Sequence, residues 1–135
     1  MEPKKIVLVE DEPDTAKVIL KRLITEGYNV MITEDAPQAI RIIHDERPNL
    51  VILDLMLPGG GGLTVLQRMK LSTFTVAIPV IVLTGMKDEA YKNKIMAEGV
   101  EAYLEKPYEA KELLDTIKCL LENKEKDESA NSGAN

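Results

Sequence analysis

Hydrophobic positions along the chain fall into two alternating kinds of segment. Ile6-Val7-Leu8-Val9, Leu50-Val51-Ile52-Leu53 and Pro79-Val80-Ile81-Val82-Leu83 are short, unbroken and rich in β-branched residues. That is the pattern of strands covered on both faces. Val30-Met31-Ile32 and Ala102-Tyr103-Leu104 read as two shorter strands. Between them, apolar residues return every three or four positions. The first such set is Ala16, Ile19, Leu20, Leu23 and Ile24, and the second Ala36, Ala39, Ile40 and Ile43. A third is Leu63, Val65, Leu66 and Met69, and the last Leu113, Leu114, Ile117, Leu120 and Leu121. This spacing predicts amphipathic helices. A further helix is predicted from about Asp88 to Glu98, stopped by Gly99. Pro13 suits a first helical turn and Gly27 a helix stop. Pro58 and the four glycines from Gly59 to Gly62 predict a loop.

The order is strand then helix, five times over. It predicts an α/β fold whose parallel sheet carries helices on both faces. A length of 135 residues suits one domain, expected over residues 1–121. Beyond Leu121 the apolar periodicity ends, which predicts a frayed helix end and a polar, disordered tail or linker over residues 122–135.

Composition refines this picture. Hydrophobic residues make up 44% of the chain, yet there is no Trp and only one Phe, so the core must be aliphatic. The net charge is -6, which argues against direct nucleic-acid binding, because no basic face is on offer to displace counterions. The single cysteine, Cys119, excludes an internal disulfide and reads as a small apolar residue of the last helix. His44, the one histidine, sits among charged residues and reads as a surface group. No apolar run approaches the roughly 20 residues of a membrane span. The N-terminus enters a strand at once, without the layout of a signal peptide. A cytoplasmic protein with no membrane association is expected.

Parallel sheets place ligands beyond the carboxyl ends of their strands. Those ends carry Glu10 and Asp11, Asp54, Thr84 and Lys106. Three neighbouring carboxylates stay ionised only beside a cation. Oxygen ligands without His or Cys favour Mg²⁺. A hydroxyl and an ammonium would complete a clamp for phosphoryl oxygens, within which a carboxylate can become an aspartyl-phosphate. Each residue alone has a plainer reading. Glu10 or Asp11 could cap the following helix, Thr84 could cap another, and Lys106 could be a solvated lysine. Asp54 is the hardest to dismiss, because an apolar run leads into it.

Four segments carry a resemblance to a known family. They are Ile6-Val7-Leu8-Val9-Glu10-Asp11-Glu12-Pro13, Leu50-Val51-Ile52-Leu53-Asp54-Leu55-Met56-Leu57-Pro58, Pro79-Val80-Ile81-Val82-Leu83-Thr84-Gly85 and Gly99-Val100-Glu101-Ala102-Tyr103-Leu104-Glu105-Lys106-Pro107. In this order and spacing the chain resembles the receiver domains of bacterial two-component response regulators, from about Lys5 to Leu121. The resemblance implies a flavodoxin-like fold with strand order 2-1-3-4-5. It implies that Asp54 is the phosphoacceptor, receiving a phosphoryl group from a histidine kinase or phosphotransfer protein. Asp11 would bind Mg²⁺ directly, Glu10 through water, and the Met56 backbone carbonyl would be a further ligand. Thr84 would hydrogen-bond the phosphoryl group and Lys106 would pair with it. Tyr103 would be the switch aromatic, turning inward as Thr84 moves. Pro107 would follow a cis peptide bond. The output would run through the helix 4, strand 5, helix 5 face to an unknown effector. The unphosphorylated chain is expected to be a monomer, with dimerisation on phosphorylation an open alternative.

The chain departs from the family pattern in places. Glu10 replaces a more usual aspartate, and Gly60 and Gly61 stand where a bulkier residue and a helix cap are common, so the 59–62 loop is expected to be mobile. Met56 and Met86 flank the site without any group to orient water, which predicts a long-lived phosphoryl form. Three other functions compete. A phosphatase with an Asp nucleophile needs a second Asp where Met56 stands. A flavin-mononucleotide binder needs a phosphate loop where Glu10-Asp11-Glu12 would repel it. A degenerate receiver serving only as a docking module would not need the full acid, Thr and Lys set.

Overall fold

The computed structural model describes residues 2–58 and 61–133, with residues 127–133 described by backbone alone. Strands β1 (Lys5–Val9), β2 (Asn29–Thr33), β3 (Leu50–Asp54), β4 (Val80–Thr84) and β5 (Ala102–Glu105) alternate with five helices. These are α1 (Pro13–Thr25), α2 (Ala36–Glu46), α3 (Gly61–Leu71), α4 (Glu89–Ala97) and α5 (Ala110–Gly133). All strand pairs are parallel and the order is β2-β1-β3-β4-β5, the doubly wound arrangement expected.

Alternation along the central strands sorts their side chains into two apolar layers. Val7, Val9, Val51, Leu53, Val80 and Val82 face α2, α3 and α4, packing with Ala39, Ile43, Val65, Leu66, Met69 and Ile95. Ile6, Leu8, Leu50, Ile52, Ile81 and Leu83 face α1 and α5, packing with Ile19, Leu23, Leu113, Ile117 and Leu121. Being covered on both sides is why β1, β3 and β4 are continuous apolar runs.

The structure departs from the pattern reading in four places. Helix α3 begins at Gly61, so Gly61 and Gly62 are helical rather than loop. The Gly62 N–H donates to the Leu55 carbonyl at 2.8 Å, seating the helix start on the end of β3. The mobile-loop expectation otherwise falls on Gly59 and Gly60, which lie outside the described residues. Pro79 lies just outside β4, where its missing N–H would interrupt the ladder. Helix α5 runs on to Gly133 instead of ending near Leu121. Its extension is tied to the domain by a Lys4–Glu125 ion pair at 2.8 Å and a Lys124 hydrogen bond to the Ala77 carbonyl at 3.3 Å. Cys119 is exposed, accepting from Asn123 at 3.7 Å. Among the described residues no helix is long and apolar enough to cross a membrane.

Candidate phosphoacceptor site

Strand register gathers the predicted residues at one edge. Val9 lies opposite Leu53 and Asp54 opposite Leu83, so the exits of β1, β3 and β4 are side by side. The Lys106 N–H donates to the Thr84 carbonyl at 2.8 Å, which brings the β5 exit to the same place. One carboxylate oxygen from each of Glu10, Asp11 and Asp54 lies within 4.8 Å of the others. The Lys106 ammonium bridges two of these acids, donating to Glu10 Oε1 at 3.0 Å and to Asp54 Oδ2 at 3.2 Å. The Met56 N–H donates to Asp54 Oδ1 at 2.9 Å and fixes the carboxylate's orientation. Pro107 follows a cis peptide bond.

The plainer readings are tested by what actually caps the helices. At α1 the cap is Glu12, whose carboxylate accepts from Asp14 N at 3.2 Å and Thr15 N at 2.8 Å. Glu10 and Asp11 are thereby left to the strand edge. At α4 the cap is Asp88, so Thr84 has no capping role there. The Thr84 side chain is fully buried, and its hydroxyl oxygen accepts from Met86 N at 3.1 Å. Its own hydrogen remains available to an incoming oxygen. Lys106 is half-buried between acids rather than solvated.

The electrostatics reflect crowded acids. Burial first, and then the adjoining Asp54 carboxyl, push Glu10 up to about 7, with Lys106 opposing. Burial by itself would lower the Lys106 pKa, but the hydrogen bond to Glu10 and the Asp54 charge outweigh it and the net shift is upward. Two of the three clustered carboxylates share one ammonium, so the pocket has room for further positive charge. The oxygen-only donor set and this room both fit a small divalent cation such as Mg²⁺.

Tyr103 shares a sheet face with Thr84. It pairs with Val82, and Thr84 pairs two residues farther along with Glu105. Its ring packs against the α2–α4 layer with Lys92 Nζ 5.2 Å from the ring centroid. The hydroxyl is out of solvent and has no hydrogen-bond partner among the described residues. Burial, then Glu105, raise its pKa. Met56 is exposed beside the site, and Met86 is half-buried. One residue at the site escaped the sequence reading. A Cβ at Gly62 would lie 2.6 Å from both the Asp54 carbonyl oxygen and Leu55 Cα. The signal was present only as one glycine among four.

A doubly wound sheet whose edge unites an acidic cluster, a buried threonine and a bridging lysine defines a class of phosphoacceptor signalling domains. The chain belongs to the response regulator receiver domain family, whose model matches residues 6–118. The phosphate regulon transcriptional regulatory protein PhoB of Pseudomonas aeruginosa is 36% identical over 118 residues, 87% of this chain and 52% of that protein. The chain thus spans about half the length of the curated relatives it matches. A CheY-like receiver domain protein of Methanospirillum hungatei superposes with a TM-score of 0.85 at 29% identity, covering 93% of this chain and 98% of that one. The receiver domain of a sensor histidine kinase from Pseudomonas aeruginosa gives 0.82 at 27% identity, covering 88% and 98%. That structure carries a magnesium ion coordinated in its active-site cleft. The chain is therefore a regulatory phosphoacceptor domain of two-component signalling.

Proposed function

We propose that Asp54 accepts a phosphoryl group from the phosphohistidine of a sensor kinase or phosphotransfer protein, and that this operates a conformational switch. The observation that carries the reading is the Lys106 bridge between Glu10 and Asp54 inside a three-carboxylate cluster. A carboxylate oxygen of Asp54 forms the new P–O bond as the donor's P–N bond breaks. The imidazole nitrogen leaves with the bonding pair and is protonated by solvent. Met56 N–H holds the carboxylate in line through Oδ1. Lys106 exchanges a carboxylate for a phosphoryl oxygen, and the Thr84 hydroxyl donates to another. Glu10, Asp11, Asp54 and the Met56 carbonyl would hold Mg²⁺, which supplies charge neutralisation for the transferring group. Most of the catalysis is positioning, so the domain assists its own phosphorylation without being a turnover enzyme.

Movement of Thr84 toward the phosphoryl group changes the face it shares with Tyr103, whose hydroxyl, without a partner among the described residues, makes that side chain ready to re-pair. The output surface is α4, β5 and α5, and it serves an effector that this chain does not define. The unphosphorylated chain is read as a cytoplasmic monomer that makes no direct nucleic-acid contact.

The test is intact mass after incubation with acetyl phosphate, with and without Mg²⁺, on the wild type and Asp54→Asn. A Mg²⁺-dependent gain of one phosphoryl group, absent in the variant, is expected. No gain under any condition would make the chain a docking module.

A further inference from the structure

We propose that the groove between the C-terminal halves of α2 and α3 docks an acidic, amphipathic segment of a partner protein. The groove has a volume of about 390 Å³ and is lined by Ile40, Arg41, Ile43, His44, Arg68 and Met69 among others. Its floor is the apolar layer of the core, since Ile43, Val65 and Met69 are buried there. At its end three large apolar side chains stand in solvent within six residues: Leu71 is 82% exposed, Phe74 56% and Val76 43%. Phe74 is the chain's only phenylalanine, and an aromatic of that size ordinarily goes inside.

This phenylalanine is held in place. The Arg47 guanidinium lies 4.1 Å from its ring centroid, and the His44 ring meets it edge-on with centroids 6.0 Å apart. Arg47 is itself the left-handed C-cap of α2, with φ 43°. An exposed aromatic pinned to a helix end is a preorganised anchor, which lowers the ordering cost of binding.

Charge decides what fits. The chain carries -6 overall, yet Arg41 and Arg68 line this groove and Arg47 stacks on Phe74 beside it, and none of the three pairs with a carboxylate among the described residues. Among the described residues the one acid lining the groove is Asp45, beside His44 at 3.4 Å. Glu46 is already paired with Lys5 at 2.8 Å. An apolar floor with a basic rim complements a helix or strand that presents apolar anchors flanked by Asp and Glu. A second copy fits poorly. The exposed apolar residues of α1, Val18 and Ile24, sit among Lys17, Lys21 and Arg22, and the groove facing itself would oppose arginines.

The groove opens where α2 and α3 end, at the opposite edge of the sheet from Asp54, about 13 Å away along β3. Docking there leaves the phosphoacceptor open and is independent of its state.

The experiment uses the whole ¹⁵N-labelled chain and an amphipathic helical peptide of about 16 residues, ~24 Å long. The peptide carries Leu at i, i+3, i+4 and i+7 flanked by Glu, and its control has every Glu replaced by Lys. Saturable amide shifts confined to residues 40–47 and 65–76 are expected with the acidic peptide, with affinity roughly tenfold weaker for the control. The double variant Arg41→Glu/Arg68→Glu should melt like the wild type and lose the binding, whereas Asp54→Asn should keep it. The proposal is overturned if the acidic peptide gives no saturable shifts, if the shifts fall elsewhere, or if the charge reversals leave affinity unchanged. Self-association of the wild type that the double variant abolishes would assign the face to a second copy instead.

Discussion

Replacing Gly62 by alanine asks whether α3 is seated directly on the strand that ends in Asp54. The new Cβ would lie 2.6 Å from the Asp54 carbonyl oxygen, 2.6 Å from Leu55 Cα and 3.2 Å from the Asp54 carbonyl carbon. These are backbone atoms, so no flexible side chain can swing aside. Restoring ordinary contact near 3.4 Å requires α3 or the β3 exit to move by about 0.8 Å. Overpacking of this kind costs ~1–3 kcal/mol. Alanine's better helix propensity offsets at most ~1 kcal/mol, less in a first turn. The net loss is about 1–2 kcal/mol, which lowers the melting temperature of a chain this size by roughly 3–8 °C.

Two other glycines separate the causes. Gly85 has no atom within 4 Å of an added Cβ and an ordinary φ, so Gly85→Ala should leave stability within ~0.5 kcal/mol. Gly27 also has open space but sits at φ +92°, so Gly27→Ala should cost ~1–2 kcal/mol from backbone strain alone. Gly62→Ala and Gly27→Ala should therefore melt at similar temperatures. Only Gly62→Ala should slow phosphorylation, because only it displaces the peptide of Asp54. Thermal melts by circular dichroism and the initial rate of Mg²⁺-dependent acetyl-phosphate labelling read the two effects. A Gly62→Ala chain that melts and labels like the wild type would refute the packing argument.

Other consequences follow from the same geometry. Glu10 keeps its proton up to about 7 in the folded chain and to 4.5 in the unfolded one. Between those values the folded state binds more protons, so without metal this group's contribution to stability is full below 4.5 and is lost as pH rises through about 7. Melts in EDTA from pH 4.5 to 7.5 should show the wild type losing ground to Glu10→Gln, and parallel curves would contradict it. The same proton competes with a cation, so Mg²⁺ affinity measured by calorimetry should rise from pH 6 to pH 8. The Thr33 hydroxyl is buried with no partner among the described residues. Thr33→Val should therefore stabilise the chain by ~1 kcal/mol in denaturant melts, and a loss would show that the hydroxyl is bonded. Met56 and Met86 offer no group to orient an attacking water, so the phosphoryl form should persist for minutes or longer by intact mass. A half-life of seconds would sink that expectation.

How much of this was legible depends on the distance over which each feature is determined. The strands β1, β3 and β4 were plain in the sequence because burial on both faces forces unbroken apolar runs, and a run that stops on a carboxylate marks Asp54. The five candidate positions followed because parallel strands must end at a common edge. What stayed hidden was the choice among chemically equal neighbours. Glu10, Asp11 and Glu12 are three successive acids, and only the direction in which the chain leaves β1 makes the third the helix cap and turns the first inward. Gly62 was one of four glycines, and its requirement arises from an approach to Asp54 and Leu55 that no local pattern encodes. The length of α5 was hidden for a related reason. Its apolar stripe ends at Leu121, and the ion pair that ties down the extension joins Lys4 to Glu125 across nearly the whole chain. The Lys106 bridge belongs to the same category, spanning 96 residues to Glu10 and 52 to Asp54. A lysine read alone is a surface residue. It becomes the bridge between Glu10 and Asp54 only because β1, β3 and β5 converge at one edge of the sheet.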